Sequence, residues 1–154
     1  MIVILHNIRS LYNVGSIFRT ADAGGIKKIY LTGYSPAPID QLGNKRIQLV
    51  KVSLGAENYI PWEKVKSVIV LLKKLKKAGY KILALEQNEK AINYYKYINK
   101  QKKCVLVVGN EIHGLPYSIL KLADKILEIP MLGQKESLNV AVAFGIVVFH
   151  LRYV

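Results

Sequence analysis

Asn13 and Arg19 form the first pair of side chains whose types and spacing suit chemistry. They lie six residues apart, after a short apolar run and beside Gly15 and Ser16, in a stretch that we expect to open a helix. Asn13 and Ser16 are common helix N-caps, and glycine lets a ligand approach the backbone closely. We expect Arg19 in about the first turn, where an arginine beside free N–H groups can bind phosphate. An ordinary surface arginine is an equally good interpretation of this motif alone.

A second motif is a glycine-bounded loop that follows a buried apolar run. Gly109 and Gly114 enclose Glu111, and a Leu-Pro pair stands where a phosphate-binding loop needs Lys and Ser or Thr. The Gly-x-Gly-x-x-Gly pattern of dinucleotide sites is absent as well. A carboxylate disfavours a bound phosphate and suits a cationic or hydroxyl-bearing ligand. The alternative is a tight turn in which Glu111 caps the following helix.

The third motif joins a predicted strand to a very apolar stretch near the end of the sequence. It contains Ile129, Pro130 and Met131, followed by Ser137 and Asn139. Ser137 is a good N-cap for the next helix, which is the alternative to a role in chemistry. We expect Asn139 to be buried on that helix, where its amide requires hydrogen-bond partners.

The chain is strongly basic. It contains 23 Lys and Arg residues against 10 Asp and Glu, which gives a formal net charge of +13. Such a charge favours a polyanionic partner, with nucleic acid first and an anionic membrane surface second. A basic enzyme with no nucleic-acid role is the alternative. Because few of these cations are arginines, Arg19 inside a motif is more informative than another lysine.

The cysteine and histidine content argues against disulfides and metal sites. Cys104 is the single cysteine, and the three histidines are far apart in the sequence, so we expect no metal. The first residues lack a signal-peptide pattern. The longest apolar stretch, residues 140–149, is too short to span a bilayer. We therefore expect a cytoplasmic protein without a membrane partner.

Apolar runs rich in β-branched residues alternate with helical patterns along the chain. This order predicts a single α/β domain with a mostly parallel sheet flanked by helices. Strands are predicted at residues 2–5, 28–31, 81–85, 104–108 and 125–129. Helices are predicted at residues 16–23, 63–78, 116–122 and 138–152. Residues 33–55 are predicted to form a long loop with one helical turn, which suits substrate contacts.

The last predicted helix is apolar on every side, from Val140 to Phe149. A helix at the end of a small domain normally has one polar face. We expect it to pack on the sheet and on a second copy of the chain in a homodimer. A helix that is fully buried within one chain is the alternative.

Taken together, the three motifs resemble those of SpoU/TrmH-type RNA 2′-O-ribose methyltransferases of the SPOUT superfamily. The first is similar to that family's Asn-x5-Arg pattern and the second to its Gly-x-Glu-x-x-Gly loop. The third is similar to Ile-Pro-Met followed by Ser-x-Asn-x-Ala-x-Ala, which includes Ala141 and Ala143. The likeness covers nearly the whole chain.

The resemblance implies a C-terminal trefoil knot, an obligate homodimer and S-adenosylmethionine bound mainly by backbone groups. The cofactor residues that it implies are Leu85, Gly109, Glu111, Gly114, Ile129, Pro130, Met131 and Leu138. The implied catalytic set is Arg19, which activates the ribose hydroxyl, with Asn13, Glu111, Ser137 and Asn139. A guanidinium is a poor base, so we expect Arg19 to act as a cation on phosphate and alkoxide.

The implied substrate is RNA, with tRNA favoured over rRNA, and RNA contacts are expected at Arg9, Lys45 and Arg46. We expect residues 1–154 to form one methyltransferase domain without a separate RNA-binding extension. Two rival functions stay open from the sequence. One is a non-catalytic RNA-binding module that kept the fold, and the other is a generic nucleotide-binding α/β domain.

Overall fold

A parallel β-sheet is the centre of the molecule in the computed structural model, which describes residues 1–100 and 103–154. Within these residues the sheet has seven strands in the order β3-β2-β1-β6-β4-β7-β5, and each neighbouring pair is parallel. The strands are β1 (Ile2–His6), β2 (Lys28–Thr32), β3 (Trp62–Val65), β4 (Lys81–Leu85), β5 (Ile92–Asn93), β6 (Cys104–Val108) and β7 (Lys125–Glu128).

Helices cover both faces of this sheet. They are α1 (Leu11–Ala23), α2 (Ile47–Ser53), α3 (Ala56–Tyr59), α4 (Val68–Lys77), α5 (Tyr117–Leu120) and α6 (Val140–Tyr153), with a 3₁₀ turn at Tyr94–Lys96. One apolar cluster joins the sheet to α1, α2, α3 and α6, and a second joins the opposite face to α4 and α5. The predicted class, a mostly parallel α/β sheet flanked by helices, is confirmed.

Burial on both faces of the sheet explains why the central strands have continuous apolar sequences. In β1, Val3 and Leu5 pack in the first cluster, while Ile2 and Ile4 pack in the second. All residues of β6 are buried in the same way. A parallel strand covered on both faces needs apolar residues at consecutive positions. The five predicted strands are therefore confirmed, with shifts of one residue at their ends.

The start of α1 differs from the prediction. The helix begins at Leu11, and its N-cap is Ser10, whose side chain accepts a hydrogen bond from the backbone N of Asn13 at 3.2 Å. Neither Asn13 nor Ser16 caps it. Arg19 consequently lies in the third turn, so the expected position in about the first turn was wrong. The free N–H groups at the start of α1 are therefore not beside Arg19.

The segment from residue 33 to residue 67 holds the other differences. Its predicted loop contains α2, which is seven residues long, and the short helix α3 follows that loop. The predicted helix at 63–78 was wrong in its first part, because Trp62–Val65 pairs with β2 as strand β3. The helix begins only after Ser67, whose side chain caps it at Val70 N. The short strand β5 was not predicted.

Candidate active site

One side chain from each of the three motifs takes part in a continuous hydrogen-bonded chain. Asn13 Nδ2 donates to Glu111 Oε1 at 3.0 Å, and Asn139 Nδ2 donates to Asn13 Oδ1 at 3.0 Å. Both polar atoms of the Asn13 amide are thus engaged. This chain ties the start of α1, the loop after β6 and the start of α6 together at one end of the sheet.

Glu111 satisfies the backbone at the beginning of α1. Its carboxylate accepts from Arg9 N at 3.0 Å and from Ser10 N at 3.1 Å, besides the bond from Asn13. Glu111 therefore supports the N-terminus of α1. The alternative interpretation, in which Glu111 caps the helix that follows it in the chain, was wrong. Partial burial raises the pKa of Glu111, but the hydrogen bonds together outweigh it and hold the pKa below the ordinary value of 4.5.

A carboxylate with a lowered pKa makes stability depend on pH. Ionised Glu111 stabilises the folded state fully above about pH 4.5, and this contribution is lost as the pH falls through its lower folded pKa. The free energy of unfolding of wild type should therefore exceed that of Glu111→Gln at pH 7. This difference in the free energy of unfolding should become smaller as the pH is lowered from 7 to 3.5. Urea titrations of both proteins across this pH range measure it. A difference of constant size across this range would contradict the ionic role.

Asn139 is the N-cap of α6. Its Oδ1 accepts from Ala141 N at 2.9 Å and from Val142 N at 3.4 Å, while its Nδ2 reaches Asn13. Two expectations were wrong here: the cap is Asn139 and not Ser137, and the Asn139 side chain is exposed and not buried. Ser137 lies on the exposed segment just before the helix.

A cavity of about 310 Å³, called the main cavity below, opens beside this chain of hydrogen bonds. It lies at the carboxyl ends of β4, β6 and β7, where open α/β sheets bind ligands. Pro130, which was expected there with its neighbours, is not among its lining residues. The expected residues that line it are Leu85, Gly109, Glu111, Gly114, Ile129, Met131, Ser137 and Leu138.

Both glycines of the second motif stand at positions that disfavour a side chain, one because of close packing and the other because of its backbone conformation. A Cβ atom on Gly109 would lie 2.7 Å from the carbonyl carbon of Gly114 and 2.8 Å from the backbone N of Leu115. Gly114 has φ +62°, a left-handed conformation that side chains disfavour. The loop therefore folds back on itself tightly and leaves its backbone facing the main cavity.

Glu86 is a residue of this site that sequence reasoning missed. It directly follows β4, and its Oε2 accepts a hydrogen bond from Leu115 N at 2.6 Å, which fixes the end of the glycine loop. A carboxylate immediately after a buried parallel strand was the available signal. Four acidic residues of this basic chain line the main cavity: Glu86, Glu111, Glu128 and Glu136. The main cavity is thus suited to a cationic ligand.

Asn110 shapes a neighbouring depression, called the middle cavity. Its Oδ1 accepts from Ile112 N at 2.9 Å and His113 N at 2.7 Å. Its Nδ2 donates to Asn7 O and to the hydroxyl of Tyr34, both at 2.9 Å. The middle cavity is lined by Arg9, Ser10, Asn13, Tyr34, Asn110, Glu111, Ile112 and His113.

The two expected RNA-contacting arginines meet at a depression next to the middle cavity. Arg9 and Arg46 line a third depression, called the distal cavity, of about 660 Å³. Lys64, which the sequence analysis did not select, lines it too, and its Nζ donates to Gly33 O at 2.6 Å and Ser35 O at 2.5 Å. Partial burial, with repulsion from Arg46, lowers the pKa of Lys64. Lys45 is exposed and does not line this cavity.

Arg19 stands apart from the other expected site residues. Its side chain is exposed on α1, and it lines none of the main, middle or distal cavities. Within one chain, therefore, Arg19 shares no cavity with Asn13 and Glu111 among the described residues.

In the part of the chain that the structure describes, no three His, Cys, Asp or Glu side chains converge to hold a metal ion. Among the same residues, no helix combines the length and apolar character that crossing a membrane requires.

Known proteins resemble this chain in both sequence and fold. A sequence model described as the SpoU rRNA Methylase family matches residues 1–149. The tRNA (guanosine(18)-2′-O)-methyltransferase of Aquifex aeolicus is 34% identical over 152 residues, which are 99% of this chain and 68% of that protein. The 23S rRNA (guanosine-2′-O-)-methyltransferase RlmB of Neisseria meningitidis is 30% identical over 99% of this chain and 58% of its own length.

The fold agrees with these relatives. The crystal structure of an AdoMet-bound rRNA methyltransferase from Sinorhizobium meliloti matches with a TM-score of 0.88 and 31% identity, and it covers 98% of this chain and 55% of that one. The chain belongs to the SpoU rRNA methylase family. It spans about half to two thirds of the length of these three relatives.

Proposed function

We propose that this protein transfers a methyl group from S-adenosylmethionine to a ribose 2′-hydroxyl in RNA. The observation that carries the proposal is the main cavity, where a tightly folded glycine loop and four acidic residues meet the hydrogen-bonded chain from Asn13 to Asn139. Membership of the SpoU family and the strongly basic composition support an RNA substrate.

The main cavity fits the proposed cofactor by shape and charge. Gly109 and Gly114 present backbone groups, while Leu85, Ile129 and Leu138 supply apolar contact for an adenosine. S-adenosylmethionine carries a sulfonium and an ammonium against one carboxylate, so acidic residues around the cavity favour it over a phosphate-bearing nucleotide. When bound, it supplies an electrophilic methyl group on sulfur. The positive charge on sulfur is neutralised in the transfer, which a partly apolar cavity favours.

The chain's own residues have to position and activate the ribose. Arg19 is the proposed catalytic cation, which binds an RNA phosphate and stabilises negative charge on the attacking 2′-oxygen. A protonated guanidinium has no site that accepts a proton, so the hydroxyl proton leaves to the RNA phosphate or to water. Asn13, Glu111 and Asn139 act as positioning residues through their mutual hydrogen bonds. Ser137 lies at the cavity wall, where it can contact the ribose.

A homodimer is part of this proposal. An apolar face of α6 remains exposed in the single chain, although most of the other side of the helix is buried. Arg19 lies on α1, which packs against α6, so a partner seated on this face would meet α1 as well. We propose that Arg19 of one chain completes the cavity of its partner. The exposed apolar residues of α6 are Val142, Ile146, Phe149 and Tyr153, and the rings of the last two are stacked.

The trefoil knot is likewise proposed. Strand β7 lies between β4 and β5 in the sheet, although it follows both in the chain. The connection from β4 to β6 also contacts α6, where His150 Nε2 lies 2.9 Å from Tyr97 O. This contact supports the proposal that the connection passes around the C-terminal segment, as the expected knot requires.

Transfer RNA is the proposed substrate, with ribosomal RNA as the alternative. The Aquifex relative named above is a tRNA methyltransferase, whereas the Neisseria relative acts on 23S rRNA. We propose that Arg9, Lys45 and Arg46 contact the RNA, in a single domain formed by residues 1–154. A free, buried Cys104 agrees with a reducing cytoplasm as the place of the reaction.

Methyl transfer can be measured directly. The protein is incubated with methyl-labelled S-adenosylmethionine and unmodified tRNA transcripts or unmodified rRNA, and the label is mapped as 2′-O-methylribose after nuclease digestion. We expect label in tRNA. Label in rRNA alone would select the alternative substrate, and label in neither RNA would reject the catalytic function in favour of an RNA-binding module.

A further inference from the structure

The main, middle and distal cavities adjoin one another in a row, called the groove below, because neighbouring cavities share lining residues. Asn110, Glu111 and Ile112 line both the main and the middle cavity. Arg9 and Tyr34 line both the middle and the distal cavity. A ligand that begins in the main cavity can therefore extend along the surface to the distal cavity.

The electrostatic character reverses along this groove. Acidic residues line the main cavity, whereas Arg9, Arg46 and Lys64 line the distal cavity, where Asp40 is the only acidic residue among those that the structure describes. The Asp40 carboxylate already accepts hydrogen bonds from Leu42 N and Asn44 N, both at 2.9 Å. The distal end thus attracts a polyanion that the main cavity repels.

Arg46 lines the distal cavity with an incompletely paired guanidinium. Its Nε is enclosed by protein and has no hydrogen-bond partner among residues 1–100 and 103–154. Enclosed polar groups normally have partners, so the unpaired Nε leaves this guanidinium under-satisfied, and an anion bound by Arg46 in the distal cavity would compensate its charge. Lys64 is different, because backbone oxygens already hold its ammonium group.

Tyr34 supplies a rigid aromatic surface between the middle and distal cavities. Tyr34 is 56% exposed, although it is held at two points. Its backbone N donates to Asn7 Oδ1 at 3.2 Å, and its hydroxyl oxygen accepts from Asn110 Nδ2 at 2.9 Å. An exposed ring fixed in this way can stack on a nucleobase with little loss of side-chain entropy.

We propose that the distal cavity binds the nucleotide next to the methylated one, with its base on Tyr34 and its phosphate on Arg9 and Arg46. The inference rests on the proposed function, because it places the reacting ribose between the main and distal cavities. It implies that the substrate segment is single-stranded, since a base within a duplex does not offer its face to a protein ring.

Salt titrations separate the two contacts. RNA affinity is measured by fluorescence anisotropy with a pool of labelled unmodified tRNA transcripts, at saturating S-adenosylhomocysteine and several salt concentrations. Arg46→Gln and Arg9→Gln should weaken binding, and each should lower the slope of log Kd against log salt by about 0.7, the value per phosphate contact for a single strand. Tyr34→Ala should weaken binding about ten-fold without changing the slope, and Tyr34→Phe should retain most of the affinity.

Matched controls test whether the location matters. Arg152→Gln removes the same charge at the opposite end of α6, and Tyr59→Ala removes another exposed ring that lines none of the three cavities. The inference is overturned if the groove variants bind RNA like wild type, or if they lose no more than these controls. Wild-type protein that does not bind S-adenosylhomocysteine would reject the proposed function instead. Unchanged affinity of each variant for that ligand shows that the fold is intact.

Discussion

Replacing Arg19 with alanine should lower the rate of methyl transfer to RNA about 100- to 1,000-fold, the usual effect of removing one group that stabilises developing negative charge. The affinity for S-adenosylhomocysteine should not change, because the proposed partners of Arg19 are the RNA phosphate and the attacking 2′-oxygen and not the cofactor. Single-turnover methylation and isothermal titration calorimetry measure the two quantities separately.

Arg152→Ala is the matched control for this substitution. It removes the same charge from an exposed position near Gly25, far from the start of α6. We expect the rate of this variant to stay close to that of wild type. Full activity of Arg19→Ala would refute the role of Arg19, and loss of cofactor affinity in that variant would indicate a structural role instead.

Gly109→Ala should weaken the binding of S-adenosylhomocysteine about ten- to 100-fold. The added methyl group would meet the backbone of Gly114 and Leu115, so the loop has to move, and overpacking of a rigid site costs about 1–3 kcal/mol. Calorimetry measures the affinity, and circular dichroism with thermal melting shows whether the variant still folds.

Gly133→Ala provides the comparison, because a Cβ atom there meets nothing within 4 Å. We expect its affinity for the cofactor product to match that of wild type. A folded Gly109→Ala protein with wild-type affinity would show that the glycine loop does not form the cofactor site.

Mixing Arg19→Ala with Gly109→Ala, at a cofactor concentration too low to fill the Gly109→Ala cavity, tests whether Arg19 acts across the dimer. Each heterodimer of Arg19→Ala and Gly109→Ala would have one cavity with an intact glycine loop and an intact Arg19 from its partner. Random exchange of subunits should then restore about a quarter of the wild-type activity. No recovery after demonstrated exchange would place Arg19 in the site of its own chain.

The sequence was most informative where burial dictates residue type. The strands β1 and β6 are covered on both faces, so their composition alone determined the prediction. The helix at residues 63–78 failed for a related reason: Trp62 and Val65 are only half-buried on an edge strand, and the charged residues between them fit a helical pattern equally well. An edge strand that is only partly buried tolerates polar residues, so its amino-acid composition predicts a strand only weakly.

The sequence predicted which residues belong to the candidate site, but it did not predict which of them contact one another. The motifs selected Asn13, Glu111 and Asn139, which the fold joins directly. Nothing local indicated that Glu111 would support a helix about 100 positions earlier in the chain, because that contact depends on the order of strands in the sheet. Glu86 was missed since one carboxylate after a strand is a common pattern and its partner is a backbone N–H.

The pairing of β1 with β6 has a consequence for folding during synthesis on the ribosome. Ile2 lies opposite Val105, so one edge of the first strand stays open until more than a hundred residues have been made. At about 5–20 residues per second, that takes roughly 5–20 s. During this time a fully apolar strand offers unpaired N–H and C=O groups to other nascent chains. The centre of the finished sheet is therefore the most aggregation-prone part of the unfinished polypeptide, and early occupation of that edge by a chaperone would favour correct folding.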